Sequence, residues 1–409
     1  VVERARPSPK HFRRLVYWLA ISIGVNFGAI MYGTSVLITS HAAGSEYSVT
    51  LLSLAYSGSV LTGAVVAVSV GRHADRHGIR FLTATGGILV GVGFITFSFS
   101  TREWHILAAW WVLIGPGSSM VLFEPAFVAI QQWFPRTLRN RAAALLTVVV
   151  GLTGPAFIPA TAWMVDQFNW RWTAVILGMS AVSVALITAG WALRVAPTYP
   201  HTWVNNYPSE PPSHRGTASS DDHRHQNFRG FLTITVSVTL AIGVMDTFNV
   251  HRISRFEATG FDTATLGWWA GLVGLLSLPA RFFLPTLANR YTPLPLWILM
   301  VILVMPAVWL TIRGTENWEM IGHFVIFGLL FGTFMPLRAV IMSDWYSGPQ
   351  FGRLMGLQAV AIAAGRAGGP ALIGWLSETS AGYPTGMVLL SAAMFLSLIT
   401  ALIAGKQRK

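Results

Sequence analysis

The chain contains no cysteine. That excludes a disulfide framework, a thiolate metal site and a thiol redox switch. Charge is scarce as well: Asp, Glu, Lys and Arg make up 11% of the 409 residues, against about 25% in an ordinary soluble domain. Hydrophobic residues account for 53%, and mean hydropathy is +0.55. So few charges cannot cover a water-facing surface, so lipid is the solvent expected around most of the exterior. A GxxxxGK phosphate loop ending in Ser or Thr is absent, which removes an ATP-driven engine. An HExxH pair and a selectivity-filter segment are also missing, which removes a zinc protease and a pore of that kind. No catalytic residue, metal or cofactor is expected, and the chain does not read as an enzyme. Acidic residues are the scarcer sign, 16 against 28 basic ones, for a net charge of +12. The position of the basic residues carries more information than their sum, and nothing in it points to nucleic acid.

What is present is a series of long apolar runs. A helix needs about 20 apolar residues to cross a hydrocarbon core about 30 Å thick. Twelve segments meet that test: 15–39, 50–70, 82–99, 105–131, 142–165, 172–193, 231–251, 264–288, 294–312, 319–343, 354–376 and 384–404. The first, with Leu15 to Ile38 at its centre, is too long for a cleavable signal peptide and reads as a span. Open strands are excluded, because unpaired backbone groups in lipid are too costly. The 39 glycines suit helices that pack closely with no water to drive them together.

Lysine and arginine set the expected orientation. With both termini in the cytoplasm, the cytoplasmic segments hold 20 of the 28 basic residues; five lie on the other side (Arg102, Arg171, Arg252, Arg255, Arg313) and three inside spans. The fold class expected is therefore an all-α membrane protein of twelve transmembrane helices, N-in and C-in. The stretch 194–230, rich in Pro, Ser, His and charge, reads as a flexible cytoplasmic linker. It divides the chain into a six-helix bundle over 1–193 and a second over 231–409. Its histidines (His201, His214, His223, His225) read as solvated linker residues rather than metal ligands.

The halves echo each other. Gly71-Arg-His-Ala-Asp75-Arg76-His-Gly78-Ile-Arg80 follows the second span, and Leu287-Ala-Asn289-Arg290-Tyr follows the eighth. Trp133-Phe134 with Arg136, Arg139 and Arg141 leads to Gly154-Pro155; Trp345-Tyr346 with Arg353 leads to Gly369-Pro370. Duplicated halves around a midplane site are a transporter design. The GxxxDRxGxR pattern resembles the signature loop of the major facilitator superfamily, and the resemblance runs over the whole chain. It implies the two-bundle fold of that family, with Gly71, Asp75, Arg76, Gly78 and Arg80 as a gating loop that ties helix ends by charge-assisted hydrogen bonds. Simple anchoring of those charges in the aqueous interface is the alternative.

Within the superfamily, Trp133-Phe134-Pro135-Arg136 opening the fifth span, Asn169-Trp170-Arg171 closing it, and Ala280-Arg281 with Ala288-Asn289 on the eighth resemble the monocarboxylate-transporter-like branch. That resemblance implies that Arg281 meets a substrate carboxylate. Two elements depart from it. Ala29-Ile-Met-Tyr32-Gly33 stands where an acidic-Gly-x-aromatic element belongs, and Ser277 stands one turn before Arg281 where animal members carry an Asp for proton coupling.

Charges inside spans cost about 2.5–3.5 kcal/mol each on insertion scales, so those retained usually line a cavity, pair or carry substrate. There are five: Glu124, Asp246, Arg281, Arg338 and Arg366. The excess of positive charge favours an anion, and a guanidinium offers a two-point fork for a carboxylate. Arg281, Arg366 and Arg338 are the candidate substrate ligands, with Asn26 and Tyr32 as polar neighbours. Ion pairing of Arg366 or Arg338, snorkelling of Arg281, and a helix-bonding role for Asn26 and Tyr32 stay open. Glu124 and Asp246 are candidates for proton coupling. Trp110, Trp111, Trp268 and Trp269 read as possible walls for an apolar substrate tail.

The expected function is secondary transport of a small or medium carboxylate by alternating access across the bacterial inner membrane, coupled to protons. The partners are then the substrate, protons and the bilayer, with the chain a monomer. An exporter of drugs or lipophilic metabolites is the main alternative, and a membrane sensor that moves nothing is the second.

Overall fold

The computed structural model describes residues 9–39, 46–47, 49–134, 136–195, 220–287, 291–346, 350–377, 379 and 382–408. Among them all regular structure is helical. The helices are α1 (Pro9–Phe27), α2 (Thr34–Thr39), α3 (Val49–His77), α4 (Arg80–Ser98), α5 (Glu103–Ala108), α6 (Gly115–Val121), α7 (Phe123–Trp133), α8 (Arg136–Gly151) and α9 (Thr153–Ile187). They continue with α10 (Ser220–Glu257), α11 (Thr263–Leu287), α12 (Pro293–Arg313), α13 (Asn317–Phe331), α14 (Phe334–Trp345), α15 (Phe351–Ser377) and α16 (Gly382–Arg408). The widened turns Gly28–Gly33 and Ala109–Ile114 join α1 to α2 and α5 to α6 without leaving the helix axis.

Among the described residues, ten helical stretches are long and apolar enough to cross a membrane. One of them, Leu138–Ala192, has 55 residues, about 80 Å at 1.5 Å per residue and more than twice the hydrocarbon thickness. It is not one straight helix. Asn169 interrupts α9 with φ 65° and ψ 170°, a backbone region that residues with a Cβ rarely adopt. Its side-chain oxygen accepts the N–H groups of Arg171 and Trp172 at 2.9 and 3.2 Å, so it caps the helix that restarts there. Beyond the ten, α11 is a further helix of 25 residues.

The outer surface is apolar where a soluble protein would be polar. Val65, Trp309, Phe283 and Trp375 are between 63% and 77% exposed, as side chains facing lipid should be. Hydroxyls inside the helices turn back on their own backbone, as Thr83 does to Ile79 O, Thr147 to Ala143 O and Thr247 to Gly243 O. That satisfies a polar group without a partner from water.

The chain divides into two compact units, Val1–Val204 with Tyr346–Leu357, and Asn205–Trp345 with Gln358–Lys409. In the first, α4 crosses α9 at Gly91 and Gly178, each close enough that an added Cβ would stand 2.9 Å from the other's carbonyl oxygen. Trp110, Phe94, Phe97 and Trp170 form the aromatic centre of its core. Trp110 is 2% exposed and meets Tyr56, Phe94 and Phe97 edge-on at 5.8–6.1 Å. It is a packing residue, not the pocket wall expected from sequence, because three aromatic edges surround its ring. Trp268 is 72% exposed.

In the second unit, Ser237 on α10 and Ser397 on α16 exchange hydroxyl and carbonyl bonds at 2.8 Å, and Trp297 Nε1 donates to Ser237 Oγ at 2.9 Å. Such bonds between apolar helices are the polar glue of membrane bundles. Part of the stretch read as linker is helical, since α10 begins at Ser220; residues 196–219, with His201 and His214, lie outside the described residues, as do Ala288, Asn289 and Arg290.

Candidate functional site

In the second unit Asp246 stands on α10, Arg281 on α11, Arg338 on α14 and Arg366 on α15. The seam between α10 and α15 is built from small residues. A Cβ on Gly243 would stand 3.1 Å from Gly365 O, and one on Gly365 would stand 2.9 Å from Thr239 O. With the backbones so close, Asp246 and Arg366 meet in an ion pair with side chains only 20% and 30% exposed. The pairing left open by the sequence is thus resolved in favour of Asp246. Further along, His251 Nε2 lies 2.8 Å from Pro370 O. A carbonyl can only accept, so this nitrogen carries the ring proton. Tyr383 adds its ring at 6.1 Å from that of His251.

Arg338 sits differently. It is 1% exposed, and its Nε donates to Gln358 Oε1 at 2.7 Å; Gln358 in turn lies 3.5 Å from Thr235 Oγ1. This is a buried polar chain across α14, α15 and α10, and Arg338 is held inside it.

Arg281 is half-buried, and its Nε donates to Ser277 Oγ one turn earlier at 3.3 Å. The side chain lies across Gly332, where an added Cβ would come within 2.6 Å of Arg281 Cγ and 2.7 Å of both Arg281 Nε and Ser277 O. Gly332 follows the end of α13, so the break before α14 and the missing side chain together make the channel that Arg281 fills. Sequence reasoning did not find Gly332, since one glycine among 39 carries no mark of its neighbour.

The sequence places Arg252 and Arg255 beyond the end of a span, on the aqueous side, but both are buried in α10, at 7% and 2% exposed. Arg255 donates to the carbonyls of Thr311, Ile312 and Arg313 at 2.7–2.9 Å, satisfying the open C-terminal end of α12. Arg252 lies over the rings of Phe324 and Phe327 at 5.5 and 5.1 Å. Helix periodicity could have signalled this, because the run through Glu257 contains no breaker.

In the first unit, Glu124 stands in the first turn of α7, after a break at Leu122 (ψ −150°). The open N–H groups and dipole of a helix start favour a carboxylate there. Asn26 is fully buried and donates to Ser22 O at 2.8 Å. Tyr32 stands in the widened turn, edge-on to Phe27 at 5.9 Å.

The loop after α3 has a distinct geometry. Asp75 is 5% exposed, and its two carboxylate oxygens accept the N–H groups of Gly352 and Arg353 at 2.7 and 2.9 Å, at the start of α15. A carboxylate on those open donors is a charge-assisted cap. Gly71 makes the approach possible, since any Cβ would strike Gly352 O. Gly78 has φ 75°, which turns the chain into α4 without strain. Arg80 Nε reaches Ala189 O at 3.1 Å, and Gln132 Nε2 reaches Ala74 O at 3.1 Å. Arg76 is exposed.

The model of the Major Facilitator Superfamily matches residues 16–248 and 226–408. The chain belongs to the Major Facilitator Superfamily. It is a multi-pass membrane transporter. Among its relatives, monocarboxylate transporter 13 of Bos taurus is 23% identical over 78% of this chain and 72% of that protein. Monocarboxylate transporter 11 of Homo sapiens is 26% identical over 79% and 68%. An uncharacterized transporter of the same superfamily from Bacillus subtilis is 22% identical over 87% and 85%. Among solved structures, a human organic anion transporter has a TM-score of 0.71 at 15% identity, covering 97% of this chain and 100% of that one. The fucose:proton symporter of E. coli has a TM-score of 0.70 at 12% identity, covering 97% and 98%. These structures share the superfamily fold with the chain.

Proposed function

We propose that this superfamily member moves a small or medium organic carboxylate across a bacterial inner membrane by alternating access, driven by protons. The reading takes the chain as twelve crossings, N-in and C-in: the ten apolar stretches, one more from the break at Asn169, and α11. The observation that carries it is the setting of Arg281, a half-buried guanidinium on the apolar helix α11 that lies across Gly332. A guanidinium inside the membrane offers a two-point fork for a carboxylate. The low-identity kinship with monocarboxylate transporters supports the same substrate class.

The Asp246–Arg366 pair gives the proposal a coupling step. Protonation of Asp246 removes its hold on Arg366, whose guanidinium is then available to a substrate carboxylate. Release of the proton restores the pair and expels the substrate. This replaces the Asp that Ser277 lacks on the eighth span. Glu124 is the second candidate for the proton.

The experiment is uptake into proteoliposomes, with labelled carboxylates, amines and neutral aromatics, with and without an inward proton gradient. Carboxylate uptake driven by the gradient is expected, lost in Arg281→Ala and no longer driven by the gradient in Asp246→Asn. Uptake or extrusion of amines and neutral aromatics, unchanged in Arg281→Ala, would replace this reading with that of an exporter.

A further inference from the structure

A cavity of about 340 Å³ opens beside the signature loop, within the first unit, lined by Arg72, Asp75, Arg76, Gln350 and Arg353. Three arginines therefore line one space with a single acidic residue. That carboxylate is already directed at backbone, since both Asp75 oxygens accept the N–H groups of Gly352 and Arg353. Arg353 Nη1 reaches only the neutral Gln350 Oε1, at 3.3 Å. Among the described residues neither Arg72 nor Arg76 meets a carboxylate within ion-pair distance. Arg72, Arg76 and Arg353 are all exposed, so solvent or lipid reaches them.

We infer that this basin is a binding site for a phosphate group, supplied by an anionic phospholipid headgroup or by a phosphate anion in solution. Arginine forks match phosphate oxygens in paired N–H bonds, and three of them around one cavity can surround a single group. The cavity sits where apolar α3 gives way to the charged loop, the level at which headgroups lie. Basic pockets at that level hold anionic headgroups, with each cation contributing to the attraction. A solvated anchoring role would need no shared cavity and no arrangement of three arginines around it. The bound group would stand against the same α15 start that Asp75 caps, so its occupancy bears on the latch itself. This inference does not depend on what the transporter carries.

The test uses the full chain in two arms. In the first, the protein is placed in nanodiscs of phosphatidylcholine containing a minor fraction of phosphatidylglycerol, and native mass spectrometry counts the lipids retained on ejection. In the second, detergent-purified protein stripped of anionic lipid is titrated with inorganic phosphate and its Tm followed, with chloride at matched ionic strength as control. Preferential retention of phosphatidylglycerol by at least about tenfold, lost in the Arg72→Gln/Arg76→Gln/Arg353→Gln variant, assigns the site to lipid. Phosphate-specific stabilisation lost in the same variant assigns it to the soluble anion. Arg72→Gln alone, which leaves the signature motif intact, is expected to weaken whichever binding is found by about fivefold, and it serves if the triple variant fails to fold. Equal retention and equal Tm response in parent and variants overturn the inference, as does an absence of both effects in the parent.

Discussion

The two compact units place their charges in different parts of the helices. In the first, charge is concentrated at helix ends. Asp75 caps α15, Arg80 reaches the carbonyl of Ala189, and Arg171 pairs with Glu46 at 2.5 Å while also reaching Ser100 O at 3.1 Å. In the second, Asp246, Arg281, Arg338 and Arg366 stand within the apolar helices. Charges at helix ends hold backbone termini and can be replaced by water at modest cost. Charges inside the helices have no such substitute, so each needs a built partner or a function. The difference predicts that the same type of substitution has unequal effects in the two units.

The largest effect is expected at the Asp246–Arg366 pair. Arg366→Leu leaves Asp246 without its cation in a largely buried seam, and should cost about 3 kcal/mol of stability, read as a fall in Tm or in denaturant midpoint. The double variant Asp246→Asn/Arg366→Gln removes both charges and should recover most of that loss while transport stays abolished. If the single variant is as stable as the parent, the pair is water-accessible and the contrast between the units fails at its centre.

Asp75→Ala tests the first unit's side of the comparison. Two N–H groups at the start of α15 lose their acceptor, for an expected loss of about 2 kcal/mol. Asp75→Asn keeps one acceptor and should lose about half of that, because the remaining oxygen still caps one donor. Next comes Asn169. Asn169→Ala removes the cap on Arg171 and Trp172 and puts a Cβ-bearing residue without a local bond at φ 65°, for about 1.5 kcal/mol. Asn169→Gly should fall within a few tenths of the parent, since glycine accepts that φ and is a tolerable cap.

Several of these features are legible in the sequence alone. The Asp75 loop is legible because its glycines and charges stand at fixed spacing, and each has a backbone reason: close approach at Gly71, a left-handed turn at Gly78, a cap at Asp75. The break at Asn169 was legible as the gap between two apolar runs. Side-chain partners inside the membrane were not. A span carries periodicity that gives its lipid face, but nothing in it says which of several arginines meets Asp246, since that depends on the rotation of α15 against α10. Arg255 was missed for a related reason: its role is to hold the carbonyls of another helix, and those carbonyls leave no sequence trace. Trp110 misled because aromatic residues suit both a core and a substrate wall, and only its neighbours decide.

Gly332 offers the smallest effect and the sharpest use of the comparison. Its backbone, at φ −72° and ψ −8°, is open to any residue, so Gly332→Ala acts through space alone. The added methyl meets the flexible stem of Arg281, which can move, and the carbonyl of Ser277, which cannot without shifting α11. About 1 kcal/mol of stability should be lost. Gly271→Ala on α11 is the control: no atom stands within 4 Å of its added Cβ, so it should be neutral or stabilising by up to about 1 kcal/mol. The decisive readout is carboxylate affinity. If Arg281 is a ligand, displacing it through Gly332 raises the substrate Kd while the α11 control leaves it unchanged. If affinity holds while stability falls, Arg281 is a structural residue lying across a glycine rather than a ligand for substrate.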